Sequence, residues 1–203
     1  MIRYERVGPP LACQSHRWSY LLDQAVDDYS RAIARDKNMV EAYVNRGYVY
    51  NDQQNAVAAL KDFDQALKLQ PENGIASLGR AFANLELKSP TAALQDAGRA
   101  QQLMGDSGAV ELALATSYRQ LHRLNQAETH YRAALSYAPN DVTLWLALAD
   151  TLYEGRRFTG SIDALNEAIK LDAHDPLIYA ELAHNYAQLH QKDNTLRAIQ
   201  QAE

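Results

Sequence analysis

Small residues return along this chain at a fixed interval. Alanine stands at Ala32, Ala66, Ala100, Ala134, Ala168 and Ala202, each 34 residues after the last. Seven residues before each lies another small side chain: Ala25, Ala59, Ala93, Ala127, Ser161 and Thr195. Twelve residues earlier again sits Gly47, Ala81, Ala115, Ala149 or Ala183. A constant period of this length marks a repeat architecture. Each period carries two apolar stripes at i, i+4, i+7, the spacing of one face of an α-helix. In the unit that begins at residue 40, the first stripe is Tyr43, Gly47 and Tyr50, and the second is Ala59, Phe63 and Ala66. The small residues let two backbones approach, and the large ring fills the space beside them. The pattern predicts helices near 19–35, 40–52, 56–69, 74–86, 90–103, 108–121, 124–137, 142–154, 158–171, 176–189 and 192–203. Asp175-Pro176 and Ser89-Pro90 each set a capping side chain before a proline suited to a first helical turn.

The stretch Tyr43…Arg46-Gly47…Tyr50…Ala59…Phe63…Ala66…Pro71 resembles a tetratricopeptide repeat, and Pro139 marks the same hinge later. The resemblance covers roughly residues 20–203. It implies an all-α fold, a right-handed α-solenoid of antiparallel helix pairs with about five units and a concave inner face. The units fall near 6–39 (incomplete), 40–73, 74–107, 108–141, 142–175 and 176–203, after an irregular segment 1–18 and within a solenoid 19–203. Gly8-Pro9-Pro10 is expected to interrupt the first helix of the first unit. The last unit stops on the final turn of its second helix. Solenoids normally carry polar caps at both ends. The expectation is therefore a piece of a longer array, and uncapped ends would also permit self-association.

In this family the inner face is made by the first helix of each unit, one step round from its core stripe. The resemblance places Val44, Tyr48, Leu78, Phe82, Leu85, Leu112, Arg119, Leu146, Asp150 and Tyr153 on a partner-binding groove. Val44, Leu78, Leu112, Leu146 and Ala180 form an apolar row at the repeat spacing, with Tyr48, Phe82 and Tyr153 as aromatic anchors. The rim is acidic, with Glu41, Asp52, Glu86, Asp150 and Glu154 against Arg119. A segment with apolar side chains and basic flanks would suit it. The alternative is that the row lies between adjacent helices and completes the core. Family members that clamp a C-terminal carboxylate use Lys, Arg and Asn on these positions, and members that thread a chain along an asparagine ladder repeat Asn in one column. Neither pattern is present: the ladder column reads Asn45, Gly79, Ala113, Ala147 and Glu181.

Two departures from the repeat stand out. In the unit 74–107 the core places hold Ser77, Ala81, Asn84 and Ala97, while Leu78, Phe82 and Leu85 make an apolar stripe one step round. Asn84 buried without a partner would cost about 1–3 kcal/mol, so a neighbour should satisfy it. Arg46 and Arg80 occupy equivalent places, with Asp62 and Asp96 sixteen residues after each. Later units replace the pair with Leu114 and His130, then Leu148 and Ala164. Loss of both partners together implies an ion pair between the two helices of a unit, while Asp28 leaves open a backward pairing of Arg46.

The chain has 203 residues, 47% hydrophobic and 22% charged, with a formal net charge of −5. That is too apolar for a disordered chain and lacks the basic stripe of a nucleic-acid binder. No stretch approaches the ~20 apolar residues that cross a bilayer. The single cysteine, Cys13, excludes a disulfide framework and a multi-cysteine zinc site and suits a reducing, cytoplasmic setting. No catalytic or phosphate-binding motif is present. The six histidines form no i, i+4 pair, and Cys13 has only His16 as a candidate base. The expected function is a non-catalytic scaffold that binds a protein or peptide partner, with no cofactor, metal, nucleic acid or membrane insertion. The second reading is an accessory portion of a larger enzyme or assembly factor, with catalysis elsewhere.

Overall fold

A computed structural model describes residues 11–202, with side chains described from residue 19. The described residues form helices and no strand. Helix α1 (Leu11–Arg35) is followed by five antiparallel pairs: α2 (Val40–Asp52) with α3 (Ala56–Leu69), α4 (Gly74–Glu86) with α5 (Pro90–Met104), and α6 (Gly108–Gln120) with α7 (Leu124–Tyr137). The series closes with α8 (Val142–Glu154) and α9 (Phe158–Leu171), then α10 (Pro176–Gln188) and α11 (Lys192–Ala202). We refer to the first helix of each pair as an A-helix and the second as a B-helix. The pairs stack into an α-solenoid, each packing on the one before it.

Helix α1 departs from the sequence expectation. It begins at Leu11, where the spacing predicts a start near 19, so part of the segment expected to be irregular is helical. A proline pair directly before a helix removes only amide donors that would lack partners there, and Pro9-Pro10 precedes Leu11. Residues 1–10, including Gly8-Pro9-Pro10, and the side chains of Cys13, His16 and Trp18 lie outside what the structure describes.

The turn between the helices of a pair is the same five times over. Gln54, Lys88, His122, Arg156 and His190 take positive φ, between 55° and 57°. The amide of the next residue then donates back across the helix end: Asn55 to the Tyr50 carbonyl at 2.8 Å, Arg123 to Tyr118 at 2.8 Å and Gln191 to Tyr186 at 2.9 Å. This left-handed closure satisfies carbonyls that a helix end leaves open. Asn73, Ser107, Asp141 and Asp175 cap the following A-helices by accepting from amides of the first turn. Ser89 makes no such bond, contrary to its expected role, and Pro90 alone marks that helix start.

The repeating alanines lie where the helices cross. Ala59, Ala66, Ala93, Ala100, Ala127, Ala134 and Ala168 have no exposed surface. Phe63 is also fully buried, and its ring lies against both Gly47 of α2 and Gly79 of α4. A methyl added at Gly79 would meet Phe63 Cζ at 2.3 Å, so glycine is what admits the ring between two A-helices.

Where the next unit has Ala97 in place of Phe63, a polar cluster takes over. Arg80 donates from Nε and Nη2 to Asp96 at 2.9 and 2.6 Å, and Asn84 Nδ2 adds a bond to the same carboxylate at 3.0 Å. Arg46 grips Asp62 in the same two-pronged way at 2.7 Å, and reaches back to Ser30 Oγ at 2.8 Å. The ion pairs expected from the joint loss of both partners are therefore present. The hydrogen bond to Asp62 holds the Arg46 pKa above its ordinary value despite burial, and Asp96 does the same for Arg80. In the next unit His130 Nδ1 lies 2.7 Å from Glu111 and stacks on Tyr118, while Leu148 and Ala164 make the following place apolar.

Candidate functional site

The A-helices pack on one another as well as on B-helices: α2 meets α4 and α4 meets α6, whereas no comparable contact joins α6 to α8 or α8 to α10. Side chains bonded to the backbone of a neighbouring A-helix fasten both of these seams. Tyr48 OH donates to the Ile75 carbonyl at 2.9 Å, Asn51 Nδ2 to Gly79 at 3.1 Å, and Gln120 Nε2 to Leu85 at 3.2 Å. The A-helix face is closed from α2 to α6 and opens beyond it.

This division decides the fate of the candidate residues. Val44, Leu78 and Leu85 are 6%, 8% and 6% exposed, so they fill the seams between A-helices and offer a ligand almost nothing. Helix α4 buries Leu78 and Leu85 as well as Ser77, Ala81 and Asn84, because it packs against α2, α3, α5 and α6. Tyr48 is half-buried with its ring edge-on to Phe63 at 5.3 Å, and burial pushes its phenol up to about 12. Phe82, Leu112 and Leu146 are half-buried and packed at the margins of the core, and Tyr153 is half-buried against the Phe158 ring. Two large apolar side chains of A-helices stand further out, Ile75 of α4 at 54% and Leu177 of α10 at 70% exposure. Neither was among the expected anchors, since exposure at a helix's first turn cannot be read from periodicity.

The open half carries charge. Arg119 of α6 crosses to α8, donating from Nε to Glu154 at 2.9 Å and from Nη2 to Asp150 at 3.0 Å. Burial works against its charge, but the bond to Glu154 and the two carboxylates outweigh that and raise its pKa. Three of the charges expected to line the rim thus neutralise one another in part. Glu181 of α10 has no salt bridge among the described residues, and burial, then the charges of Asp150 and Asp175, raise its pKa above 4.5. Two cavities open here. One of about 470 Å³ lies among Lys88, Thr116, Arg119, Gln120, His122 and Glu154. The other, about 320 Å³, lies between α8, α9 and α10. Among the described residues no three His, Cys, Asp or Glu side chains converge as a metal site, and no helix is long and apolar enough to cross a membrane.

Sequence comparison agrees with this architecture. Tetratricopeptide-repeat family profiles match residues 40–73 and residues 112–176. The chain is a tetratricopeptide-repeat protein. No curated protein matches its sequence. Among solved structures it is similar to YrrB, described as a TPR protein with an unusual peptide-binding site, at 17% identity and a TM-score of 0.71 over 86% of this chain and 90% of that one. It is similar to MamA from Desulfovibrio magneticus RS-1 at 12% identity and a TM-score of 0.73, covering 80% of this chain and 92% of that chain. It also resembles a chain of the APC/C hetero-tetramer Cut9–Hcn1, with 18% identity and a TM-score of 0.72 over 98% of this chain and 39% of the other. At these identities the likeness is one of fold, a helical solenoid of repeats. Family and fold together support a protein-interaction scaffold.

Proposed function

We propose that this chain holds a peptide or helix of a partner protein on the A-helix face, chiefly on the open half from α6 to α10. The observation that supports this reading most is the change in that face at α6. Up to that point Val44, Leu78 and Leu85 are buried, and Tyr48 and Asn51 are bonded to the backbone of the next A-helix. Beyond it two cavities open, one lined by Arg119 and Glu154 and the other by Asp150 and Tyr153, with Leu112 and Leu146 half-buried on the same helices. Half-buried apolar side chains flanked by charge suit a segment that combines apolar and basic residues. YrrB, of the same fold, is described by its peptide-binding site, which adds an analogy at the level of fold.

The reading is tested by selecting twelve-residue peptides (about 12, long enough to span two repeats when helical) from a displayed library against the whole chain. Enriched peptides should bind the parent chain and lose affinity for Tyr153→Ala and Thr116→Trp. Both variants should keep native helicity by far-UV circular dichroism. Absence of any enriched peptide, or equal binding to both variants, contradicts the proposal. The surrounding assembly, whether an enzyme, an assembly factor or a second copy of this chain, is a separate question that co-purification of the tagged chain from its native source addresses.

A further inference from the structure

The smaller cavity has a composition unlike the rest of the A-helix face. It is lined by Asp150, Tyr153, Ser161, Glu181, His184 and Asn185. Ser161 and Asn185 are 1% and 2% exposed, and neither Ser161 Oγ nor Asn185 Oδ1 has a hydrogen-bond partner. Asn185 spends its amide nitrogen on the Glu181 carbonyl at 2.9 Å, so the oxygen is the end left free. Buried polar atoms without partners are rare in native proteins because each costs on the order of 1–3 kcal/mol. Two of them lining one cavity signal an occupant that satisfies them.

The charges define what that occupant is. Asp150, Glu154 and Glu181 place three carboxylates around one guanidinium, that of Arg119, which already bonds the first two. Glu181 makes no salt bridge among the described residues, and the favourable charges of Arg119 and His184 are outweighed by burial and by Asp150 and Asp175. An anion would meet uncompensated negative charge, and an apolar group would leave the oxygens unpaired. A cation answers both needs, and the Tyr153 ring, packed at 5.4 Å against Phe158, lines the same cavity.

We propose that this cavity receives the ammonium or guanidinium of a lysine or arginine side chain from the partner segment, with Glu181 and Asp150 as counter-charges and Ser161 Oγ and Asn185 Oδ1 as hydrogen-bond acceptors. The proposal rests on the partner-binding reading above and names one anchor within it. It requires of the partner a basic residue seated at α8–α10, next to the apolar contacts made toward α6.

The test is an NMR titration of the whole isotope-labelled chain with N-acetyl-arginine amide, N-acetyl-lysine amide and the neutral N-acetyl-norleucine amide. The expected result is saturable shifts at Asp150, Glu181 and Asn185 with at least one basic probe and none with norleucine. Glu181→Gln, whose fold is read from the same spectrum, should weaken the basic probe about tenfold, as befits loss of a charged hydrogen bond. Equal shifts with norleucine, shifts centred elsewhere, no shift with either basic probe, or unchanged affinity in Glu181→Gln would each overturn the assignment. Tighter binding of free putrescine than of both capped residues would overturn the side-chain source. A single-residue probe reads the cavity alone, so a chain that binds these probes but enriches no peptide refutes the longer docking face, and the converse refutes the anchor.

Discussion

Two chemically identical substitutions should move stability in opposite directions, and the structure gives the size of the gap. Gly79 lies inside α4 and Gly98 inside α5. Alanine in a helix interior is favoured over glycine by about 1 kcal/mol. At Gly98 a new Cβ meets nothing within 4 Å, so Gly98→Ala should stabilise by about that amount. At Gly79 the same atom would lie 2.3 Å from Cζ and 2.4 Å from Cε1 of Phe63. The ring cannot retreat, because it is fully buried and Gly47 already lies within contact on another side, where an added Cβ would meet it at 2.9 Å. Overpacking of a closed core costs about 1–3 kcal/mol, and this contact belongs near the upper end. After the helix-propensity gain, Gly79→Ala should destabilise by about 2 kcal/mol. The two variants should differ by about 3 kcal/mol, or roughly 6–12 °C in thermal midpoint for a chain of this size. Thermal and urea melts followed by far-UV circular dichroism supply the measurement. In a Phe63→Leu background, where the ring is gone, Gly79→Ala should lose most of its penalty. Equal stabilisation by Gly79→Ala and Gly98→Ala would refute the packing of Phe63 between α2 and α4.

Three further outcomes follow from particular contacts. Asp96→Ala leaves the Arg80 guanidinium and the buried Asn84 amide without their acceptor and should cost about 3 kcal/mol in urea melts, whereas Asp64→Ala, which removes an exposed partner of the same arginine, should cost under about 1 kcal/mol. Gln54 is exposed with φ 57°, so Gln54→Gly should raise the thermal midpoint by an amount equivalent to about 0.5–1 kcal/mol, the left-handed strain relieved less the extra freedom of unfolded glycine. The pKa of Glu181 is raised in the folded chain, by burial first and then by Asp150 and Asp175. Its favourable contribution is therefore complete below the ordinary carboxyl range and is lost as pH rises through the raised value. Glu181→Gln should accordingly stabilise the free chain at about pH 7 and have no such effect at about pH 4, where the parent side chain is largely protonated. A stabilisation independent of pH would contradict this.

The helix boundaries were legible because glycine, proline and capping residues punctuate a 34-residue period without insertion. All the limits from 40 onward agree with the structure to within a residue or so. The start of α1 was not, since a proline pair reads equally as a breaker inside a helix or as the residues before one. The pairing of Arg46 with Asp62 and Arg80 with Asp96 could be inferred from their joint disappearance in later units, and Asn84 finds its partner in the same carboxylate. What the period conceals is where neighbouring units touch. Val44 and Leu146 occupy the same repeat position, yet one is buried and the other half-buried, because the A-helices pack more closely up to α6 than after it. The cation-seeking cavity had a faint signal. Ser161 interrupts a column of alanines, and Asn185 ends the column Val49, Ala83, Ser117, Thr151. Both read as ordinary small or polar core variants until the fold brings them to one cavity.

The account turns on which face of the solenoid a partner covers. Amide hydrogen exchange of the whole chain with and without an enriched peptide reads this directly. The predicted result is added protection along α6, α8 and α10, with α3 and the turn at Gln54 unchanged. Protection concentrated on the B-helices, or spread evenly along the chain, would contradict it.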